Sequence, residues 1–212
     1  RPPRSTLFPY TTLFRSFCVG DVSGKSVPAS LFMAQATRLF RTLASQGMMP
    51  ADIATQMNNA LTEDNEQGMF VTMFIGLADL TTGRLDFCNA GHNPPVIGKL
   101  PPTPSEGRAD AIFLEMIPNA PIGLWPGLEY EGEVLDSILD RPLFVYTDGL
   151  NEAENEQLEQ FGDDRLLDIL RTIPYENARQ IIDALKTAVD THRQGADPND
   201  DLTMMCIRLS HG

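Results

Sequence analysis

Val19-Gly20-Asp21-Val22-Ser23-Gly24-Lys25-Ser26 closes on Gly-Lys-Ser, the ending of a nucleotide-binding phosphate loop. How this stretch is read decides the fold. A phosphate loop needs a glycine, four residues, then Gly-Lys-Ser or Gly-Lys-Thr, so that successive N–H groups wrap the phosphates. Position 19 is valine, and the glycine present, Gly20, stands one residue too close. Asp21 would also repel a phosphate unless a cation stood between them. The nucleotide reading, a hydrolase dependent on Lys25, is set aside, and the question becomes which cation Asp21 holds.

The chain has 212 residues, enough for one sizeable core or at most two small ones. Its net charge of −13 lacks the basic footprint that nucleic acid requires. That charge suits divalent cations or basic partner surfaces, and equally plain solubility. No apolar run reaches the ~18–20 residues of a membrane span, and no charged-then-apolar signal segment opens the chain. Cys18, Cys88 and Cys206 are scattered through apolar stretches without metal-ligand spacing. They read as buried free thiols of a reducing cytosol, and hence as a cytoplasmic protein.

Residues 1–16 contain the near-repeat Thr6-Leu7-Phe8 and Thr12-Leu13-Phe14 with no strand or helix period. They are read as a non-native leader, leaving 17–212 as an N-terminally truncated domain. Phe17-Cys18-Val19 predicts a short strand ending at a Gly20-Asp21 turn. Pro28 suits a first helical turn, and Phe32, Ala36, Leu39, Phe40 and Leu43 follow at helical spacing. A second helix is predicted after Pro50, with Ile53, Met57, Ala60 and Leu61 on one face. Strands are predicted at Phe70–Ala78, then past a Thr82-Gly83 turn at Leu85 and Phe87, and at the end of "NAGHNPPVI". Others are predicted at Ile112–Ile117, Leu128–Leu135, Leu143–Tyr146 and Leu202–Leu209. The Leu143–Tyr146 run is apolar throughout, so both its faces are expected to be covered. "LPPTPSEGRAD" reads as a surface loop. Helices are predicted at Asp164–Arg171 and Ala178–His192. Helix pair, strand block, helix pair, strand is an α+β order, with antiparallel sheets packed under helices.

Three acidic positions share one local design. Asp21 follows Phe17-Cys18-Val19. Asp148 follows Leu143–Thr147 and precedes Gly149. Asp200 and Asp201 precede the apolar run from Leu202 to Ile207. Strands hold their end residues rigidly, so such carboxylates can converge at one rim, where they resist ionising together unless a cation neutralises them. All-oxygen sites suit Mg²⁺ or Mn²⁺. Turn chemistry is the alternative, since Asp-Gly is a common turn dipeptide and Asp before a strand a common cap. Spacing alone leaves both open.

Six blocks, in order, go further: "GDVSGKSVPASLFMA", "FVTMFIGLADLTTGRLDFCNAGHNPPVI", "PIGL", "LFVYTDGLNEAEN", "FGDDRLLDIL" and "NDDLTMMCIRL". Together they resemble the SpoIIE-type branch of the metal-dependent PPM phosphatases, the protein phosphatase 2C-like family, over essentially all of Phe17 to Leu209. The resemblance implies a four-layer α/β/β/α sandwich of two antiparallel sheets flanked by helix pairs. It implies two Mn²⁺ or Mg²⁺ ions at one end of that sandwich. Asp21 then matches the carboxylate that bridges the ions, with the Val22 carbonyl reaching one of them. Asp148 and Asp200 match the remaining ligands, and Asp201 matches a supporting or turn position. The implied reaction is hydrolysis of phosphoserine or phosphothreonine by a water that the two ions deprotonate, with no covalent phosphoenzyme. The implied setting is bacterial signalling: an anti-anti-sigma-type phosphoprotein substrate, and a sensor or receiver module upstream of the domain.

Two features depart from that family. Its acidic Gly-Gly-Asp-x-Tyr-Asp motif lies just upstream of "GDVSG", where this chain has "STLFPYTTLFRS" and no acid. One strand and one metal-site carboxylate are expected to be lost. Ser23 stands where the eukaryotic branch carries a histidine, so solvent water is the expected proton source. Lys25 is a candidate for steering phosphate, or a solvated turn residue. His92 of "AGHNPP" and Gly149 are candidates for the rim of the site; a lone loop histidine is also commonly structural, and Asn89, Gly91 and Asn93 read as turn chemistry. "NEAENEQLEQFGDD" is an acidic loop that either meets a substrate protein or is merely solvated. The alternative function is a catalytically impaired pseudophosphatase, a phosphoprotein-binding module of the same fold.

Overall fold

The computed structural model describes residues 13–63, 65–99, 110–173 and 177–210. These fall into two compact units, one drawn from the chain up to Gly91 with Ile117–Ser137, the other from His92–Met116 with Ile138 onward.

The first unit has one antiparallel sheet in the order β1-β2-β3-β6: β1 (Phe14–Val22), β2 (Val71–Asp79), β3 (Leu85–Ala90) and β6 (Glu133–Leu135). Two helices belong to it, α1 (Ser26–Ser45) and α2 (Pro50–Thr62). Of the predicted α1 stripe, Phe32, Ala36, Phe40 and Leu43 are buried and Leu39 is half-buried, with Ala29 joining the buried face. Pro50 opens α2, where a missing N–H costs nothing, and Asp52 in the first turn favours the positive end of the helix dipole. Ile53, Met57 and Leu61 of α2 join Phe32, Phe40, Val71, Met73, Ile75 and Cys88 in one core.

A polar hub pins the loop before β6 to α2. Asn58 is fully buried, its amide donating to the Trp125 carbonyl (2.9 Å) and its Oδ1 accepting from the Gly123 N–H (2.9 Å) and the Tyr130 hydroxyl (3.3 Å). The Trp125 side chain itself is 57% exposed.

The second unit has the sheet β5-β4-β7-β8, antiparallel throughout: β4 (Val96–Lys99), β5 (Asp110–Phe113), β7 (Leu143–Tyr146) and β8 (Met204–Ile207). Its helices are α3 (Asp163–Thr172) and α4 (Ala178–Arg193). Asn177 caps α4 by accepting from the Gln180 N–H (2.9 Å). Leu166, Leu170, Ile181, Leu185 and Val189 pack with Val96, Ala111, Phe144 and Tyr146 in a second core. All four residues of β7 are buried, as its apolar sequence predicts. The α+β reading holds, with a sheet and a helix pair in each unit.

Several boundaries differ from the sequence reading. β1 starts at Phe14 and runs through Val22, paired with β2 along its whole length. Leu80 N–H donates to the Leu13 carbonyl (2.6 Å), so the strand reaches into the segment set apart above. Asp21 therefore lies inside the ladder opposite Thr72, not in a turn. The strand expected at Ile112–Ile117 stops at Phe113: Leu114 N–H still donates to the facing Pro95 carbonyl (2.8 Å), but Pro95 has no N–H to return and the ladder ends there. The strand expected at Leu128–Leu135 shrinks to Glu133–Leu135: Tyr130 N–H donates to Thr55 Oγ1 (3.1 Å) and Glu131 N–H to Asn119 Oδ1 (3.0 Å), so side chains replace the ladder. The last strand begins at Met204 because the Thr203 N–H is taken by Thr147 Oγ1 (3.0 Å). Residues 1–12 and 100–109, which carry most of the leader segment and of the predicted surface loop, lie outside the described residues.

Candidate metal centre

The apolar strand β7 delivers Asp148 to a turn anchored by Thr147. Buried Thr147 gives its N–H to the Thr203 carbonyl (3.1 Å) and its hydroxyl to the Asp201 carbonyl (3.1 Å), while accepting the Thr203 N–H. Leu150 N–H then returns to the Thr147 carbonyl (3.0 Å), and Glu152 N–H to the Asp148 carbonyl (2.9 Å). Gly149 is what lets the two chains meet: a Cβ there would collide with the Asp201 carbonyl. The backbone of Asp200-Asp201 thus lies against the Asp148 turn, and two of the predicted ligands are neighbours.

The electrostatics of this edge are those of a site short of positive charge. Asp148 Oδ1 is shut off from solvent and accepts no hydrogen bond. The Glu152 carboxyl is held above its ordinary range, first by partial desolvation and then by the charges of Asp148, Asp200 and Glu154. A buried carboxylate oxygen without a donor and clustered like charges are both unfavourable. A hard divalent cation relieves both, and the donors here are all oxygen. The residues present fit Mg²⁺ or Mn²⁺. Among the described residues no three or more His, Cys, Asp or Glu come together as a group that could by itself hold a metal ion.

On the other flank of the turn lies the loop before β4. The His92 ring is 6% exposed and hydrogen-bonds the Tyr146 backbone. Burial pushes its pKa down from 6.5 to about 4, which the Tyr146 bond only partly offsets, so the ring is neutral at pH 7. Asn93 Nδ2 donates to Asn151 Oδ1 (3.3 Å), and Asn151 Nδ2 to Asp163 Oδ1 (3.0 Å).

The remaining predicted site residues stand as follows. Asp200 and Asp201 are exposed, with Asp200 Oδ1 accepting the Asp201 N–H (2.9 Å). In the first unit, half-buried Asp21 offers its carbonyl to the Thr72 hydroxyl (3.4 Å), and Val22 pairs with Val71 at the end of β1. Ser23 closes that ladder, its N–H donating to the Phe70 carbonyl (2.8 Å) and its Oγ accepting the Phe70 N–H (2.9 Å). Lys25 is exposed at the N-cap of α1. The sequence reading missed Thr147, Asn151 and Glu152; the available signal was a threonine next to the Asp-Gly pair, a residue type that bonds backbone beyond strand ends.

The cysteines are free thiols, Cys88 buried and Cys18 and Cys206 half-buried. Desolvation pushes all three up, to about 11 for Cys18, about 12 for Cys88 and about 11 for Cys206. Among the described residues no helix is long and apolar enough to cross a membrane.

Comparison with known proteins places this geometry. Protein IcfG of Synechocystis sp. is 27% identical across 92% of this chain and 33% of its own length. Phosphoserine phosphatase RsbP of Bacillus subtilis is 23% identical across 85% of this chain and 42% of its own. The chain thus spans less than half the length of these curated relatives. Among solved structures, the RsbU and RsbW domains of Rv1364c from Mycobacterium tuberculosis superpose with a TM-score of 0.74 at 23% identity, over 91% of this chain and 52% of that one. The PP2C phosphatase domain of SpoIIE from Bacillus subtilis, solved with a fragment of its regulatory domain, gives 0.72 at 17% identity, over 92% and 54%. RsbX in complex with magnesium gives 0.64 at 16% identity, over 92% and 80%. The fold is therefore the α+β sandwich of the PP2C-like domains. The family profile of Stage II sporulation protein E (SpoIIE) matches residues 16–210, and by that match the chain belongs to the SpoIIE family.

Proposed function

We propose that this chain is a metal-dependent serine/threonine phosphoprotein phosphatase domain. The observation that carries the reading is the Asp148 turn: a carboxylate oxygen buried without a donor, beside Asp200, with Gly149 making room. Family membership and a relative named as a phosphoserine phosphatase support it.

In this reading Asp21, Asp148, Asp200 and the Val22 carbonyl are the groups that would hold two Mn²⁺ or Mg²⁺ ions. When bound, such ions supply a nucleophile at neutral pH and offset charge on phosphoryl oxygens. The chain's own residues fix the ligands: Thr147 and Gly149 orient Asp148, and the Asp201 N–H orients Asp200. Hydrolysis breaks the phosphorus–oxygen bond to the seryl or threonyl oxygen, forms one from water oxygen to phosphorus and releases inorganic phosphate. Ser23, its Oγ accepting the Phe70 N–H, offers only an alcohol hydroxyl, a poor general acid near neutral pH, so in this reading the leaving oxygen takes its proton from solvent water. The substrate we infer is an anti-anti-sigma-type phosphoprotein in the cytoplasm of a bacterium, with a sensor or receiver module controlling the domain in the whole protein.

The test is turnover of a phosphoserine peptide with Mn²⁺, with and without chelator. Asp148→Asn is expected to lower kcat/KM more than about 100-fold, beyond the 10–100-fold typical of residues that only support ligands. Chelator-insensitive turnover sinks the proposal. Phosphopeptide binding without turnover makes the chain a pseudophosphatase instead.

A further inference from the structure

We propose that His92 and Asn93 are positioning residues for the Asp148 carboxylate, bracing the turn after β7 from the β4 side. The inference rests on the metal-binding reading of Asp148.

The argument begins with the ladder. Val96 pairs with Phe144 and Ile97 with Leu143, antiparallel, so the residues just before β4 run alongside those just after β7. Continued by two residues, this register sets Pro94 opposite Tyr146. Neither Pro94 nor Pro95 has an N–H to donate, so backbone pairing cannot extend to the turn that carries Asp148. Side chains replace it. The buried His92 ring bonds the Tyr146 backbone, and because that bond favours the protonated ring, the imidazole is its donor. Asn93 Nδ2 reaches Asn151 Oδ1 (3.3 Å). The two ties bracket Asp148, one two residues before it and one three residues after. Asn151 is itself held, its carbonyl accepting the Gly162 N–H (2.8 Å) and its amide donating to Asp163 at the start of α3. On the β8 side, Thr147 makes three bonds to residues 201 and 203. The turn is therefore clamped from both neighbouring strands, by backbone and hydroxyl bonds on one side and by imidazole and amide on the other. A carboxylate oxygen without a hydrogen-bond donor keeps its place only if its backbone is fixed, and this brace fixes it.

A filler role and a positioning role differ in what they predict: the first costs stability alone, the second costs cation affinity in a protein that remains folded. The experiment is isothermal titration of the full chain with Mn²⁺, with circular dichroism to establish folding, for wild type, Asp148→Asn, His92→Phe, His92→Asn and Asn93→Ala. His92→Phe keeps bulk and removes the donor; its Mn²⁺ affinity is expected to fall about 10–100-fold. Asn93→Ala is expected to fall several-fold in the same direction, and His92→Asn, which keeps a side-chain donor, to recover part of the loss. Wild-type affinity in folded His92→Phe and Asn93→Ala, with binding lost in Asp148→Asn, overturns the brace and leaves the reading of Asp148 standing. Wild-type affinity in Asp148→Asn overturns both. If His92→Phe does not fold, Asn93→Ala decides alone.

Discussion

A buried neutral histidine makes stability depend on pH in a defined direction. His92 titrates near 6.5 when unfolded and near 4 in the fold. Below pH 6.5 the unfolded chain takes up a proton that the folded one refuses, so His92 favours the fold fully above that pH and the contribution is lost as pH falls toward 4. At 1.36 kcal/mol per pKa unit the loss is about 3 kcal/mol. Urea unfolding midpoints measured from pH 7.5 to 4.5 are expected to fall more steeply for wild type than for His92→Asn, which has no ring to titrate. The three thiols give a second prediction at this scale. With their pKa values raised by burial, native alkylation by iodoacetamide at pH 8 is expected to lag far behind that of the urea-unfolded chain, Cys88 slowest, as read by mass spectrometry. Of the candidate ligands, Asp148 and Asp200 were legible as acidic residues flanking apolar strands, and the structure brings their backbones together. What Thr147, Asn93 and Asn151 bond to was not, because their partners lie 54 to 58 residues away and no local pattern encodes that distance.

At the level of elements, periodicity was a good guide where packing follows a single stripe. α3 and α4 fall within one residue of the predicted ends, since each buries one apolar face; on α2 the predicted face holds at Ile53, Met57 and Leu61, while Ala60 is exposed. Strands at Ile112–Ile117 and Leu128–Leu135 were over-read, each for its own local reason. Over 128–135, Thr55 and Asn119 take N–H groups that a neighbouring strand would otherwise satisfy; past Phe113 the residue facing the chain is Pro95, which has no N–H to return, and Ile112, Ile117 and Val134 are exposed rather than packed in a core. Asn58→Ala tests the largest of these side-chain substitutions for a ladder. It strands the buried Gly123 N–H and removes a donor from the part-buried Trp125 carbonyl, and is expected to cost about 1–3 kcal/mol in urea unfolding, with the helical circular dichroism of the native state retained. Gly149→Ala tests the fit of the Asp148 turn against residues 200 and 201. The added methyl forces the two backbones apart, so Mn²⁺ affinity is expected to drop, with little change in helix content.

For the molecule as a whole, acidity and cation binding are linked. The chain carries a net charge of −13, and removing some of that repulsion by a bound divalent ion adds to the mass-action stabilisation any native-state ligand provides. Mn²⁺ at 100 times its Kd is expected to raise unfolding free energy by about 2.7 kcal/mol per site, seen as a rise in Tm that chelator reverses and Asp148→Asn lacks. The chain's single tryptophan, Trp125, sits on the loop tied to α2 by Asn58, with its indole largely in solvent. Intrinsic fluorescence of this protein is consequently a local gauge. Its emission is red-shifted from the start, reads the release of one loop from one helix, and is blind to the melting of β7 and the Asp148 turn unless a probe is installed there.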